Sequence, residues 1–360
     1  MEMSKIVIGA MRFVDRESAR ATIHAGIDAG FNYIDTSPCY CRADETENSE
    51  AWVGAAIRDP AYRDRVRVST KCTPGNGGME LGELVLEGGF GVRSVEEFDR
   101  MFNQSLTRLG MDRVDYYHLW TTHTDEQFTE AFKPGGWYDG LMAHSDQWDH
   151  LGITTHTDSD TLIPFLKSGK FETVTMPLNV INTARLRAVD YCREHGIKVI
   201  AMNPLAGGLL AQNEEIKELA LRYLMLLENV HVLIGFTSPE EIAYAKWIED
   251  TMGDFKLTAS QVLQKVDALM DTEEARCTAC GYCNPCPEGI VVGSALSYYN
   301  TYHYMHMNDA KDAFLEKQWE DDLRLDLCKF CGECESRCPN KLPVRDIIRR
   351  AQEALYEGKE

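Results

Sequence analysis

Eight cysteines in the last quarter of this 360-residue chain form two short runs whose spacing suits metal chemistry. Residues 328–339 follow the pattern C-x₂-C-x₂-C-x₃-C-P of bacterial ferredoxins, and residues 277–287 differ from it by one residue. In this layout three thiolates bind one [4Fe–4S] cluster, and the fourth cysteine, followed by proline, reaches the other cluster. The two runs therefore predict two [4Fe–4S] clusters.

The predicted clusters exchange their fourth ligands between the two runs. One cluster is expected on Cys277, Cys280, Cys283 and Cys338, and the other on Cys328, Cys331, Cys334 and Cys286. Structural zinc is the alternative, because Cys₄ zinc sites also use C-x₂-C pairs. Four cysteines in each run, with a proline after the last, favour iron–sulfur clusters.

A second set of reactive side chains follows strand-like segments in the first third of the chain. Asp35 and Tyr40 lie at the end of one segment, Lys71 ends the next, and His118 lies in the one after that. A lysine ammonium beside a tyrosine favours the phenolate and lowers the tyrosine pKa, so that the hydroxyl can exchange a proton with a substrate oxygen.

These segments belong to a regular alternation of strand and helix patterns before residue 255. Strands are predicted at residues 5–9, 31–35, 66–71, 114–119, 151–155, 173–176, 198–202 and 231–234. Eight such units predict an α/β fold, the (β/α)₈ TIM barrel, whose active sites lie at the C-terminal ends of the strands. A doubly wound sheet is the alternative, but the first strand is not followed by GxGxxG.

The distribution of cysteines predicts three parts of the chain. Residues 1–255 form the barrel, residues 256–276 form a helical linker, and residues 277–360 form a small α-helical ferredoxin-like domain that carries both cysteine runs.

Several segments of the barrel region closely resemble the aldo-keto reductase family. They include G-x-N-x-x-D-T-x-x-x-Y at residues 30–40, the strand-ending Lys71, and residues 151–156, 203–208 and 234–241. With the cysteine-rich region, the chain resembles the branch of that family with a C-terminal ferredoxin-type domain. The resemblance implies that Tyr40 is the general acid/base, that Lys71 modifies its pKa, and that Asp35 is the partner of Lys71.

The family's substrate-orienting histidine is replaced here by Trp120. His118 lies two residues earlier and, by the alternation of a strand, should face the same side. It either takes over the catalytic role or is a hydrogen-bonded core histidine.

The resemblance also implies a nicotinamide site. The positions that would contact the nicotinamide are Thr154, Thr155, Thr175 and Met202. Gly235 and Ser238 would meet the pyrophosphate at a helix N-terminus. Glu240 and Glu241 follow, so a 2′-phosphate would meet carboxylates and NADH is expected rather than NADPH.

Composition narrows the class of protein. The formal charge of −20 argues against nucleic acid and anionic membranes as partners, since 57 acidic side chains outnumber 37 basic ones. No apolar run reaches the length of a membrane span, and the first residues do not have the layout of a secretory signal. A cytoplasmic protein is expected.

The leading hypothesis is an oxygen-sensitive oxidoreductase that acts on a carbonyl or hydroxyl carbon of a small molecule, with two clusters for electron transfer. One alternative is a nicotinamide-independent reductase whose clusters receive electrons from an external donor protein. Another is an electron-transfer protein with an inactive barrel. NAD(H) is a possible cofactor, and flavin is not excluded, since hydride carries two electrons whereas a cluster passes one.

Overall fold

The computed structural model describes residues 1–41, 47–75, 91–120, 122–270, 276–305 and 307–356. Its contacts define two compact units. The first comprises Met1–Leu178, Ala184–Pro204 and Leu224–Lys256, and the second comprises Asn179–Thr183, Leu205–Tyr223 and Leu257–Glu360. The predicted boundaries at residues 255 and 277 stay a prediction, because two earlier segments group with the second unit.

Parallel strands form the centre of the first unit. Within the described residues the strands are β1 Ile6–Gly9, β2 Tyr33–Asp35, β3 Arg67–Pro74, β4 Gly91–Val92, β5 Val114–Trp120, β6 Trp148–Thr154, β7 Thr173–Pro177, β8 Lys198–Met202 and β9 Val230–Gly235. The order is β2-β1-β9-β8-β7-β6-β5-β3-β4, and β2 also pairs with β3. The ring of eight strands is therefore closed, with β4 attached to β3 outside it. The predicted (β/α)₈ barrel is confirmed.

Helices alternate with these strands along the chain. In the first unit they are α1 Arg16–Asp28, α2 Ser49–Ala56, α3 Pro60–Arg63, α4 Val95–Leu109, α5 Asp125–Phe132, α6 Trp137–Ala143, α7 Ser159–Leu166, α8 Leu186–Glu194 and α10 Pro239–Asp250, while α9 Glu214–Leu226 runs through both units. In α4, the Ser94 hydroxyl caps the first turn and Gly110 ends the helix with a left-handed φ of 63°. Polar caps and a terminal glycine at these positions satisfy the backbone groups that a helix end leaves open.

The second unit is mainly helical after residue 257. Its helices are α11 Ala259–Leu269, α12 Val292–Tyr304, α13 Asn308–Lys317, α14 Glu333–Ser336 and α15 Val344–Tyr356. In α15, Val344, Ile347, Ile348, Ala351 and Leu355 are buried at helical spacing, so one apolar stripe drives its packing. The predicted linker contains α11, and its residues 271–275 lie outside the described residues.

Candidate functional site

A buried ion pair joins Asp35, the last residue of β2, to Lys71, which lies within β3 because that strand continues three residues beyond its predicted end. The Lys71 ammonium is 2.7 Å from each carboxylate oxygen of Asp35, and the Ser69 hydroxyl donates to the same carboxylate at 2.9 Å. Both charged side chains are about fully buried, with Asp35 3% and Lys71 1% exposed. Register explains the contact, because Asp35 is paired with Ser69, two residues before Lys71 on the same face.

Tyr40 lies beside this ion pair, in the loop that follows β2. The Lys71 nitrogen is 5.1 Å from the centre of the Tyr40 ring. The Trp120 ring meets the Tyr40 ring edge-on, at 6.3 Å between centroids. Tyr40 is partly exposed, so a solvent-accessible phenol lies over a buried cation. The structure thus brings together Asp35, Tyr40 and Lys71.

His118 is completely buried in the barrel. Its Nδ1 is 3.0 Å from the Thr154 hydroxyl, and its Nε2 is 3.4 Å from the Tyr33 hydroxyl and 3.3 Å from that of Thr173. Burial, followed by the charge of the nearby Lys71, lowers the pKa of His118 to about 3. These contacts are typical of a hydrogen-bonded core histidine, while a catalytic role for His118 stays a prediction.

Gly152 on β6 makes room for this imidazole. It is paired with His118 in the sheet, and a Cβ at position 152 would lie 2.5 Å from His118 Nε2. Such an approach is too close for any real contact, so the histidine fills space that a side chain at position 152 would occupy.

The four residues predicted to contact nicotinamide differ in their surroundings. The Thr154 hydroxyl is hydrogen-bonded to His118. The Thr155 hydroxyl donates a hydrogen bond to the Thr122 carbonyl and lies 3.1 Å from His123 Nδ1. The Thr175 hydroxyl is buried with no hydrogen-bond partner among the described residues. The Met202 side chain packs against an apolar cluster of Met3, Val7, Tyr33, Tyr116, Ile200 and Leu233.

Gly235 and Ser238 lie before α10, as expected for a phosphate-binding turn. The side chain of Arg12 crosses Gly235, where a Cβ would lie 2.7 Å from Arg12 Cγ. However, the Glu241 carboxylate accepts a hydrogen bond from the Thr237 backbone at 2.7 Å. A carboxylate therefore already binds a backbone donor at the start of this helix.

Two histidines that sequence analysis did not single out follow the ends of β5 and β6. The ring of His123 is 5.8 Å from that of His156, and the His156 backbone donates to His123 Nδ1 at 3.1 Å. Burial, followed by the charge of Arg185, lowers the pKa of His123 to about 4. Their position just after barrel strands was the available signal, since that is where barrel active sites lie.

Cys277 and Cys334 of the second unit have different cysteines near them, and Cys283 lies near cysteines of both sets. Burial raises the pKa of the Cys277 thiol, and the nearby Cys280, Cys283 and Cys338 raise it further. Burial likewise raises the pKa of Cys334 to about 11, with added effects from Cys328, Cys286 and Cys331. The neighbours of Cys277 and of Cys334 are those expected from the ferredoxin layout, including the fourth cysteine from the opposite run.

The two loops that carry Cys277 and Cys328 have the same local backbone geometry. The Ala279 backbone donates to Cys277 Sγ, and the Phe330 backbone donates to Cys328 Sγ, each at 3.4 Å. Both donor residues have a φ of 52°, and each is followed two residues later by a glycine with positive φ. The described residues contain no group of three or more His, Cys, Asp or Glu side chains suited to a single metal ion, so the fit to a cluster rests on the grouping and the repeated loops.

Comparison with known families agrees with this geometry. The family model described as "Aldo/keto reductase family" matches residues 5–218, which is more than half of the chain. The chain belongs to the aldo/keto reductase family. A second model, "4Fe-4S dicluster domain", matches residues 276–342 and includes all eight clustered cysteines. The family prediction is confirmed, and with it membership in a family of oxidoreductases.

Curated relatives of this aldo/keto reductase are distant. The chain is 26% identical over 210 residues to 6-dehydroglucose reductase of Novosphingobium aromaticivorans, a match that spans 56% of this chain and 64% of that protein. It is 26% identical over 216 residues to aflatoxin B1 aldehyde reductase member 2 of Rattus norvegicus, spanning 57% and 53%. The chain thus spans less than two thirds of the length of these relatives.

Solved aldo-keto reductase structures share the fold. One from Bacillus halodurans, in its holo form, aligns with a TM-score of 0.59 at 22% identity, covering 74% of this chain and 92% of that one. One from Klebsiella pneumoniae in complex with NADPH aligns with a TM-score of 0.57 at 20% identity, covering 74% and 91%. Within the described residues, no helix has the length and apolar character to cross a membrane.

Proposed function

We propose that this aldo/keto reductase interconverts a carbonyl and a hydroxyl group on a small molecule, with Tyr40 as the general acid/base. The observation that carries the proposal is the buried Asp35–Lys71 pair whose ammonium lies 5.1 Å from the centre of the partly exposed Tyr40 ring. The proposed general acid/base Tyr40 is thus close to Lys71, which would modify its pKa, and to Asp35, the partner of Lys71.

In the reducing direction, the carbonyl group gains two electrons and two protons in all, and its oxygen takes one of these protons from Tyr40 to become a hydroxyl. The other proton would reach the carbon together with both electrons as hydride if NADH is the donor, or from solvent if the electrons arrive singly through the clusters. The phenolate that remains is stabilised by the ammonium of Lys71, and Tyr40 then recovers a proton from solvent. Asp35 holds the ammonium in place, because it accepts two short hydrogen bonds from it.

Trp120 and His118 have supporting roles in this proposal. Trp120 contacts the Tyr40 ring edge-on and limits where a substrate can lie. His118 acts as a positioning residue, because its Nδ1 is hydrogen-bonded to the Thr154 hydroxyl on the neighbouring strand β6.

We further propose two [4Fe–4S] clusters on the two cysteine groups, which makes the protein oxygen-sensitive. Cys277, Cys280, Cys283 and Cys338 would hold one, and Cys328, Cys331, Cys334 and Cys286 the other. When bound, such clusters supply one-electron transfer to and from a partner. The cytoplasm is the proposed location, because it keeps clustered thiols reduced.

The source of the electrons has two candidate answers. NADH would contact Thr175, whose buried hydroxyl lacks a partner among the described residues, and the Klebsiella pneumoniae relative binds NADPH. Reduction fed by the clusters, without nicotinamide, is favoured by three observations on residues predicted to bind or face that cofactor. The Thr154 and Thr155 hydroxyls already have hydrogen-bond partners, and Met202 packs against the apolar barrel core. The Glu241 carboxylate already accepts a hydrogen bond from the Thr237 backbone in the turn before α10.

The test is Tyr40→Phe in anaerobically purified protein, assayed on a panel of small aldehydes and ketones with either NADH or reduced methyl viologen. Loss of the acid/base group should lower kcat about 100-fold or more, with unchanged iron content. Tyr62→Phe is the matched control, because Tyr62 lies in α3 and its ring stacks on His24 of α1 rather than on a residue of the ion pair. Full activity of Tyr40→Phe would contradict the proposed role of Tyr40, and no turnover of any substrate by the native chain would favour an electron-transfer protein with an inactive barrel.

The same assay separates the two electron sources. Turnover with NADH alone supports hydride transfer, and bleaching of the cluster absorbance by NADH would indicate a flavin as well. Turnover with reduced viologen and none with NADH supports cluster-fed reduction.

A further inference from the structure

An exposed aromatic surface lies in the second unit, on the chain segment that leads into the second cysteine run. A shallow cavity of about 510 Å³ is lined by Gln318, Trp319, Arg324, Asp326, Gln352 and Tyr356. We call these six residues the Trp319 surface. Trp319 is 68% exposed, an unusual degree for the largest apolar side chain.

The Trp319 surface is held rigid by its own contacts. The Arg324 guanidinium stacks on the Trp319 ring at 3.6 Å and forms an ion pair with Asp326. The Tyr356 hydroxyl donates to the same carboxylate at 3.2 Å. Trp, Tyr and Arg are the residues most enriched among binding hot spots, and fixing them in advance reduces the entropy that binding costs.

One carbonyl connects this surface to a cysteine of the predicted cluster. The Leu325 carbonyl accepts from Gln352 Nε2 at 2.6 Å and from the Cys328 backbone at 3.0 Å. Leu327, which lies between Leu325 and Cys328 in the sequence, is a further apolar side chain that is 39% exposed. A partner bound here would therefore lie next to the thiols of the second run.

The chain segment that carries Trp319 is acidic. Beyond the Arg324–Asp326 pair, residues 316–329 carry Glu316, Glu320, Asp321 and Asp322 against Lys317 and Lys329. These six side chains are all exposed. Acidic groups around an aromatic centre attract a basic partner and repel an acidic one.

We propose that the Trp319 surface is the docking site for a one-electron carrier protein with a basic face. The inference rests on the proposed clusters of the second unit, but it does not depend on turnover in the barrel. Each docking event passes one electron between a cluster and the carrier, and no proton or bond changes accompany it.

The test uses oxidised cytochrome c, a basic one-electron carrier, with full-length protein that has been reduced with dithionite and freed from excess reductant. Each electron converts one haem Fe(III) to Fe(II), which is followed by stopped-flow absorbance. At about 0.01 M salt, where charges act over about 30 Å, Trp319→Ala should slow this reaction about tenfold or more. It should also weaken cytochrome c binding, measured separately by calorimetry with both proteins oxidised.

Controls distinguish docking from damage. Trp247→Ala removes another exposed tryptophan, on α10, and should change neither rate nor binding. Oxidation by methyl viologen, which is too small to need a docking surface, should proceed equally fast in Trp319→Ala and the native chain.

Charge is tested by a matched pair of substitutions. Asp321→Lys and Glu228→Lys change the net charge equally, and Glu228 is an exposed residue of the first unit. Only Asp321→Lys should slow cytochrome c, and it should speed reaction with an acidic plant-type ferredoxin.

Three results would overturn the proposal. One is a Trp319→Ala rate within twofold of the native rate, and another is an equal loss with viologen, which would indicate a perturbed cluster. The third is a change from dimer to monomer on sedimentation of Trp319→Ala, which would make the surface a subunit interface. Failure of Tyr40→Phe to lose activity would leave this electron transfer unaffected, so the two proposals can fail separately.

Discussion

Breaking the Asp35–Lys71 pair should destabilise the barrel strongly. Lys71→Met leaves the Asp35 carboxylate buried at 3% exposure, with the Ser69 hydroxyl as its remaining side-chain donor. Removing one partner of a buried ion pair costs about 3–5 kcal/mol, because the other charge stays buried without compensation. At about 2–4 °C per kcal/mol for a domain of this size, Tm should fall by about 6–20 °C.

A surface pair provides the matched control. Lys246 is 2.7 Å from Asp250, the same separation as in the buried pair, but the two side chains are 35% and 59% exposed. Water screens such a pair, so Lys246→Met should cost less than about 1 kcal/mol. Because the two ion pairs have the same separation, the difference in unfolding free energy between the two methionine variants measures the effect of burial.

A double variant tests the stated cause. Asp35→Asn added to Lys71→Met removes the uncompensated charge, so the double variant should be more stable than Lys71→Met alone. Urea unfolding followed by far-ultraviolet circular dichroism, on anaerobic samples of equal iron content, gives the free energies of unfolding. Equal costs for Lys71→Met and Lys246→Met, or no recovery in the double variant, would refute the reasoning.

Three further predictions concern the barrel core and the cysteine groups. The folded pKa of His118 is about 3, below its ordinary value of 6.5, so the unfolded chain binds an extra proton below pH 6.5. The contribution of His118 to the free energy of unfolding should be constant above that pH and should fall below it by up to about 1.4 kcal/mol per pH unit. His118→Asn should reduce this slope in urea titrations between pH 6 and 4. Gly152→Ala should lower unfolding stability by about 1–3 kcal/mol, because the new Cβ would overlap the imidazole. Cys338→Ser should alter the same cluster signal in electron paramagnetic resonance as Cys280→Ser does.

The glycine and cysteine predictions each have a matched control. Gly253→Ala should cost little, since a Cβ there meets no atom within 4 Å. Cys192→Ser replaces a buried cysteine outside both runs and should leave the iron content unchanged. An unchanged acid slope in His118→Asn, a neutral Gly152→Ala, or separate signals altered by Cys338→Ser and Cys280→Ser would contradict the corresponding prediction.

The barrel was predictable because its strands are buried apolar runs separated by amphipathic helices. The eight strands of the closed ring follow that order, whereas the two-residue β4 and short helices such as α3 have no periodic pattern long enough to detect. The proximity of Asp35 to Lys71 was also predictable, since neighbouring parallel strands end at the same edge of the barrel.

The environment of individual side chains was not predictable in the same way. The depth of His118 depends on Gly152 and on hydroxyls from β2, β6 and β7, which are far apart in the sequence. The packing of Met202 and the binding of Glu241 to the α10 turn also arise from contacts that local patterns do not encode. The grouping of two early segments with the second unit is a long-range effect of the same kind.

The proposed exchange of fourth cysteines between the two runs would have a consequence for biosynthesis. Cys338 is the last ligand of the proposed first cluster, and Cys328 is the first in sequence of the three that the second run gives to the other. The proposed cluster on Cys328, Cys331, Cys334 and Cys286 would need residue 334, and the other proposed cluster would need residue 338, whereas all described strands of the barrel are synthesised by residue 235. Iron and sulfide are therefore inserted late, into a chain whose barrel is already translated, and a chain terminated before residue 328 would carry no complete cluster.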